Sequence, residues 1–187
     1  MIHQFLVDVA TSGGVLGAGL ELSPEEWSAR LGAAPLWAGE TALGLVQDYG
    51  LVEVHHLRAE EEGGWRPFGF VVRLDRGEPT PADVPSCLGE VYGTLSGPAV
   101  FEPVRAGIEA AGHVLEPYVE YDSDPAAGIL RFRVPETQVG ITVIDRADGR
   151  PGWSDGQISR VSLFRAGGQA IQKKTAVIRF SGRVLPQ

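Results

Sequence analysis

Lysine and cysteine are scarce in this chain of 187 residues, which contains only Lys173, Lys174 and the single Cys87. One cysteine excludes a disulfide framework within the chain and favours a reducing compartment. The 16 basic residues are outnumbered by 24 acidic ones, which gives a formal net charge of −8. Because affinity for nucleic acids depends on Lys and Arg side chains that neutralise phosphates, nucleic acid is not an expected partner.

Long apolar runs are also lacking. No stretch approaches the ~20 apolar residues that cross a bilayer. The first ten residues, MIHQFLVDVA, carry no Lys or Arg of the kind that opens a signal peptide. We therefore expect a cytoplasmic protein without a membrane partner.

The acidic side chains are concentrated in the N-terminal half. Residues 1–93 contain 14 acidic and 5 basic side chains, a net charge of −9, whereas residues 94–187 contain 10 and 11, a net charge of +1. A one-sided field of this kind favours association with a basic protein partner, because complementary charges speed encounter. Solubility alone is the alternative explanation of the acidic excess.

One catalytic motif occurs in fragmentary form. Residues 152–156 read GWSDG, which matches the G-x-S-x-G nucleophile elbow of α/β-hydrolases around Ser154. That motif requires a strand-to-helix turn and a histidine later in the chain. No histidine follows His113, and the residues after the motif alternate as in a strand. We expect a polar hairpin loop here and no catalytic residue.

Motifs for cofactors and metals are incomplete as well. The glycines at 13, 14, 17 and 19 have neither the Lys-Ser/Thr of a phosphate-binding loop nor the spacing G-x-G-x-x-G. The run Asp122-Ser123-Asp124 lacks the later Gly and Glu of a calcium loop. Neighbours in a strand point to opposite faces, so His55 and His56 cannot hold one metal together. We expect no cofactor and no metal.

Alternating apolar residues and short connections predict an α+β fold with antiparallel sheets and about three short helices. Ser23, Pro24 and Glu26 form a capping box that begins a helix ending at Gly32. Further helices are predicted for residues 102–111 and, more weakly, 87–95. Predicted strands cover residues 2–9, 48–58, 67–75, 114–121, 129–134, 138–144, 157–164 and 175–182, with a turn at Asp148-Gly149.

The proline-rich stretch GEPTPADVP at residues 77–85 is the best candidate for a boundary. It divides the chain into an acidic N-terminal unit, residues 1–80, and a C-terminal unit, residues 86–187, each with helix followed by consecutive strands. Two similar helix-plus-sheet units side by side fit this order. A single continuous domain is the open alternative.

The hairpin between Asp48 and Asp75 is the candidate partner-binding surface. Its loop carries Glu60, Glu61 and Glu62, followed closely by Trp65, and Tyr49 stands at its start. Glutamates supply charge for steering, and tryptophan and tyrosine are enriched among residues that dominate binding energy. Solvated loop glutamates and a core tryptophan are the alternative interpretation.

This hairpin carries a resemblance. The run DYGLVEVHHLR, the acidic turn, Trp65 and then FGFVVRLDR resemble immunity proteins of bacterial, especially actinobacterial, polymorphic toxin systems, and FRVPETQVGITVI with ISRVSLF is similar to strands of such proteins. The resemblance covers about half the chain and implies a cytoplasmic protein that neutralises a cognate toxin by tight binding. It assigns no functional residue.

Three functions remain open from the sequence. The first is an immunity or inhibitor protein that binds a basic toxin domain. The second is a structural or assembly protein that forms homo- or hetero-oligomers through its sheet edges. The third is a small enzyme whose site is assembled from scattered residues.

Overall fold

The computed structural model describes residues 1–41, 44–58, 64–77, 79–118, 128–146 and 153–165. The predicted α+β fold with antiparallel strands is confirmed. The described helices are α1 (Ile2–Ser12), α2 (Pro24–Leu31), α3 (Ser86–Tyr92) and α4 (Phe101–Ala110), with a 3₁₀ turn at Pro81–Asp83. The described strands are β1 (Trp37–Thr41), β2 (Gly44–Asp48), β3 (Val52–Arg58), β4 (Trp65–Arg73), β5 (Glu116–Pro117), β6 (Ile129–Arg133), β7 (Gly140–Ile144) and β8 (Ile158–Phe164).

These eight strands form one sheet in the order β1-β2-β3-β4-β8-β7-β6-β5, with every neighbouring pair antiparallel. In the described part of the chain, each half contributes two helices followed by four strands, and β4 pairs with β8 where the halves meet. The division into two units remains a prediction. Within the described ranges, no helix has both the length and the apolar character needed to cross a membrane.

The first element is a helix, so the predicted strand at residues 2–9 is wrong. Ile2, Phe5, Leu6 and Val9 stand at i, i+3, i+4 and i+7, which is the helical spacing, and all four are buried. The helix ends at Gly13, whose left-handed φ of 72° suits glycine. A short apolar run of this kind fits either a helix or a strand. Here the helix forms, because its apolar residues are buried against other helices.

Helix α2 follows its sequence signal closely. The Ser23 hydroxyl accepts the backbone N–H of Glu26 at 3.2 Å, and the Glu26 carboxylate accepts that of Ser23 at 2.7 Å. Gly32 ends the helix with a φ of 61°. The predicted capping box is therefore confirmed, and Trp27 and Leu31 share the buried face.

The strand predicted from Asp48 to Arg58 is wrong in its first part. Asp48 ends β2, and residues 49–51 form the turn into β3. Asp48 Oδ1 accepts the backbone N–H of Gly50 at 2.9 Å, and Gly50 has a φ of 84°. An aspartate that bonds the backbone two residues onward is a turn signal. Strands β1 and β2 were not predicted.

Other predicted elements are confirmed with shifted ends, as for α3, α4, β4, β6, β7 and β8. Of the strand predicted at 114–121, the structure shows β5 at Glu116–Pro117, and residues 119–121 lie outside the described ranges. The predicted turn at Asp148-Gly149 and the strand at 175–182 also lie outside them.

The core lies between the helices and one face of the sheet, called here the core face. Its strand residues include Val54, Phe70, Ile141 and Val161, and the Trp27 ring of α2 lies 5.9 Å from that of Phe70. The opposite face, called here the second face, carries a ring cluster of His55, Phe68 and Phe164 with centroids 5.6–5.9 Å apart. A bulge next to His55 leaves Phe68 between the partners of His55 and His56, which lets its ring join this cluster although Phe70 lies on the core face.

Candidate partner-binding site

Trp65 begins β4 and stands opposite Arg58, the last residue of β3. The Arg58 guanidinium carbon lies 5.4 Å from the centre of the Trp65 ring, a cation–π arrangement. Arg58 Nη2 also lies 3.6 Å from Glu40 Oε1, and both of these side chains are mostly exposed. The pairing of β3 with β4 confirms the predicted hairpin. The half-buried Trp65 ring lies at the end of this strand pair, next to the connection between the two strands.

A groove of about 450 Å³, called here the hairpin-end groove, lies beside Trp65. It runs between the start of β4 and the segment that leads into α2. Its charged lining consists of the carboxylates Glu21 and Glu26 and the guanidiniums Arg66 and Arg165. A groove with an aromatic wall and polar side chains is suited to hold a projecting side chain or loop of another protein.

Three of the charged groups that line the groove, Glu21, Glu26 and Arg165, bond to the chain's own backbone. Glu26 takes part in the capping box, and Glu21 Oε1 accepts the backbone N–H of Gly19 at 3.3 Å. Arg165 Nη2 donates to the carbonyl oxygen of Leu20 at 2.6 Å. Because these side chains are already ordered, a partner that docks here meets less entropy loss than on a loose surface.

The predicted glutamates Glu60, Glu61 and Glu62 lie outside the described residues. In the sequence they belong to the connection between Arg58 and Gly64, which joins β3 to β4. The structure places Trp65 of the predicted set beside the hairpin-end groove.

Tyr49 is a core residue, so its predicted role as a contact residue requires correction. Its side chain is 2% exposed, and its hydroxyl lies 2.8 Å from Ser28 Oγ of α2. Burial raises the pKa of this phenol above its ordinary value, and the bond to Ser28 lowers it in part. The turn at Gly50 directs the aromatic ring inward, where it ties the β2–β3 turn to α2.

The incomplete motifs lie in ordinary structural positions. Ser154 stands in the turn that precedes β8, and its backbone N–H bonds to Gln157 Oε1 at 3.1 Å. This turn leads into a strand, so it lacks the helix that follows a nucleophile elbow. Cys87 Sγ donates to the carbonyl oxygen of Leu31, and burial raises the pKa of this thiol.

The neighbouring histidines lie on opposite faces of β3, as predicted. His56 on the core face is fully buried, with its Nε2 atom 2.9 Å from Gln47 Oε1. His55 on the second face has its Nε2 atom 2.9 Å from Glu53 Oε1. Within the described part of the chain, no group of three or more His, Cys, Asp or Glu side chains is arranged to hold a metal ion.

A buried carboxylate was missed from the sequence. The side chain of Glu53 is 4% exposed, and Glu53 Oε2 accepts from Arg73 Nη1 at 3.1 Å and Arg76 Nη2 at 2.9 Å. Asp75 and Asp48 bind the same two arginines from the outer side. The sequence does contain a signal for such a group, because Glu53 and His55 stand two residues apart in a strand and so share one face. Two ionisable residues on one strand face need partners when they are buried.

Comparison with known protein families, with curated proteins and with solved structures finds no match to this chain.

Proposed function

We propose that this chain is a non-catalytic protein-binding protein, an immunity or inhibitor protein that neutralises a cognate bacterial toxin. The observation that carries the proposal is the position of Trp65. Its half-buried ring forms one wall of the hairpin-end groove, beside the ordered carboxylates of Glu21 and Glu26. Aromatic anchors next to fixed polar groups are typical of residues that dominate a protein interface.

The charge of the N-terminal half supports a basic partner. Residues 1–93 carry a net charge of −9, and this part of the chain includes the hairpin and its three glutamates. The groove is lined by two carboxylates and two guanidiniums, so the charge of its own lining is balanced. Steering therefore comes from the acidic surroundings, and anchoring comes from the Trp65 ring.

An assembly protein is the second candidate, and the β1 edge supports it. Among the described strands, β1 pairs with β2 alone and stands at the end of the sheet. Leu36 and Trp37 at its start are 65% and 48% exposed. An edge with adjacent exposed apolar side chains is suited to pair with the edge of another chain.

The proposed function is tested by identifying and challenging the partner. The tagged chain is purified from its native host, and co-purifying proteins are identified by mass spectrometry. Each candidate is then expressed in a second bacterium with and without this chain, and growth is measured. We expect one partner with a basic domain that arrests growth alone and is harmless when this chain is co-expressed.

A co-purifying protein without toxicity contradicts the immunity function. Isolation of the chain as a homo-oligomer without another protein favours the assembly function, and size-exclusion chromatography with light scattering measures this. The variant Trp37→Ala separates the two cases, because it alters the β1 edge and leaves the hairpin-end groove intact.

A further inference from the structure

A second groove, of about 470 Å³, lies at the other end of the strand pair β4–β8 and is called here the opposite-end groove. Its walls include the residues that follow β4 (74–77), the segment before α4 (97–99) and the residues that lead into β8, among them Trp153 and Ser154. Trp153 is therefore an aromatic wall of this groove, as Trp65 is of the hairpin-end groove.

The two grooves occupy equivalent places in the two halves of the described sheet. Strands β4 and β8 are the last strands of their halves and meet in its centre. Because these two strands are antiparallel, a half turn about an axis through the middle of the pair approximately exchanges the halves. The helices obey the same relation, since α1 packs against α4 and α3 packs against α2. The half turn brings the start of β4 onto the start of β8, and so brings one groove onto the other.

The two tryptophan walls correspond in position. Trp65 stands five residues before Phe70, a core residue of β4, and Trp153 stands five residues before Ile158, a core residue of β8. Both tryptophans are half-buried. A half-buried tryptophan beside a groove is suited to anchor a side chain of another protein. The anchor of the hairpin-end groove therefore has a counterpart at the other end of the central strands.

The remaining walls correspond as well. The segment before α2 (20–23) lines the hairpin-end groove, and the segment before α4 (97–99) lines the opposite-end groove. An arginine that follows the neighbouring central strand completes each groove, Arg165 after β8 and Arg76 after β4. Both guanidiniums are bonded within the chain, so they form fixed walls. Asp75 balances Arg76 in the second lining, so the lining of each groove has no net charge.

The distance between the grooves and their relation determine how many partner chains they can hold. The nine residues of β4 separate them, which corresponds to roughly 30 Å at ~3.4 Å per residue. A single surface presents the same contact to two sites related by a half turn only if it has a twofold axis itself. Two partner chains, each with one copy of the same surface, satisfy this geometry directly.

We propose that the opposite-end groove is a second binding site for the basic partner protein, so that one chain binds two partner chains. The chemistry of the partner is taken from the proposed function, on which this inference rests. The net charge of −8 attracts a basic domain to the chain as a whole. The local contact at the second site is made by Trp153, in the way that Trp65 makes it at the first.

The test uses the partner domain that co-purifies with the chain, expressed separately once it has been identified. Size-exclusion chromatography with light scattering measures the mass of the complex, and isothermal titration calorimetry measures the stoichiometry. We expect two partner chains for each chain. Trp65→Ala and Trp153→Ala should each weaken one site by at least about thirtyfold and leave one strong site. The double variant should retain neither.

Trp37→Ala is the matched control, because Trp37 lines neither groove. This variant should keep both sites. Ser154→Arg provides the test if Trp153→Ala fails to fold. It adds a long cationic side chain at an exposed position that lines the opposite-end groove, which obstructs and repels a basic partner. It should leave one strong site, as Trp153→Ala does.

One partner chain for each unaltered chain overturns the proposal. A second site that persists in both Trp153→Ala and Ser154→Arg also overturns it. Neither result affects the proposed function if the partner arrests growth alone and is harmless in the complex. Two sites for a partner without toxicity support the second site and contradict the immunity function. A chain that captures no partner protein overturns both.

Discussion

His56 Nε2 lies 2.9 Å from Gln47 Oε1, across the strand pair β2–β3 on the core face. Burial, together with the neighbouring His55, lowers the pKa of His56 to about 4. The ordinary pKa of an unfolded histidine is about 6.5. Between these values the unfolded chain binds a proton that the folded chain does not, so stability decreases as the pH falls.

We predict that this histidine alone removes about 3 kcal/mol of stability between pH 7 and pH 4. Urea denaturation at several pH values measures the loss. Carboxylates also titrate in this range, so the comparison with His56→Gln isolates the histidine. The variant should show a shallower decline with pH, and an identical slope in both proteins would contradict the assigned pKa.

The Glu53 carboxylate should be a strong contributor to stability. Glu53→Gln removes the charge that Arg73 and Arg76 share. Because both arginines keep an aspartate partner, we expect a loss of about 2 kcal/mol, the size of a charged hydrogen bond. The matched control is Glu40→Gln, the same chemical change in an exposed pair with Arg58. That variant should lose less than about 1 kcal/mol. Chemical denaturation compares the two, and similar losses would refute the special role of Glu53.

Local signals predicted structure well, and long-range contacts did not follow from them. The start of helix α2 can be predicted from the sequence, because the capping bonds join Ser23 and Glu26, which are only three residues apart. The burial of Glu53 was not predicted, because its partners Arg73 and Arg76 lie 20 and 23 residues further along the chain. Likewise, Arg133 and Ser162 flank Gly140 only through the register of β6, β7 and β8.

Strand β1 illustrates a further reason for missed elements. Its sequence, WAGET, contains residues that are poor strand formers, so no alternation was visible. An added Cβ at Gly39 would lie 2.2 Å from the Trp37 ring, which therefore lies across that glycine. The strand is stabilised by its pairing with β2, and the residue pattern of β1 itself does not show that pairing.

Gly69 should tolerate no side chain. The Phe164 ring packs directly over it, so that an added Cβ would lie 2.0 Å from Phe164 Cδ1. We predict that Gly69→Ala destabilises the protein by about 1–3 kcal/mol through overpacking of the ring cluster. Gly89→Ala in α3 is the control, since no atom lies within 4 Å of its added Cβ. It should gain about 0.5–1 kcal/mol, and thermal denaturation distinguishes the two directions.

The hairpin glutamates and Trp65 should affect partner binding in different ways, which requires the partner identified in the growth experiment. Replacement of Glu60, Glu61 and Glu62 with Gln should slow association, because fewer charges steer the encounter. The effect should fade at high salt, where the screening length falls below ~8–10 Å. Surface plasmon resonance at low and high salt measures the two rates, and unchanged association at low salt would contradict a steering role.

Trp65→Ala should instead speed dissociation, at a cost of about 2 kcal/mol or more in binding free energy. The ring forms a wall of the hairpin-end groove and is held by Arg58, so its removal takes away an ordered apolar contact without altering net charge. Trp37→Ala is the matched control, since it removes a more exposed tryptophan from the β1 edge. Equal melting temperatures of both variants and the unaltered chain exclude an effect on folding. If Trp37→Ala speeds dissociation and Trp65→Ala does not, the partner docks at the sheet edge, and the hairpin-end groove is not the interface.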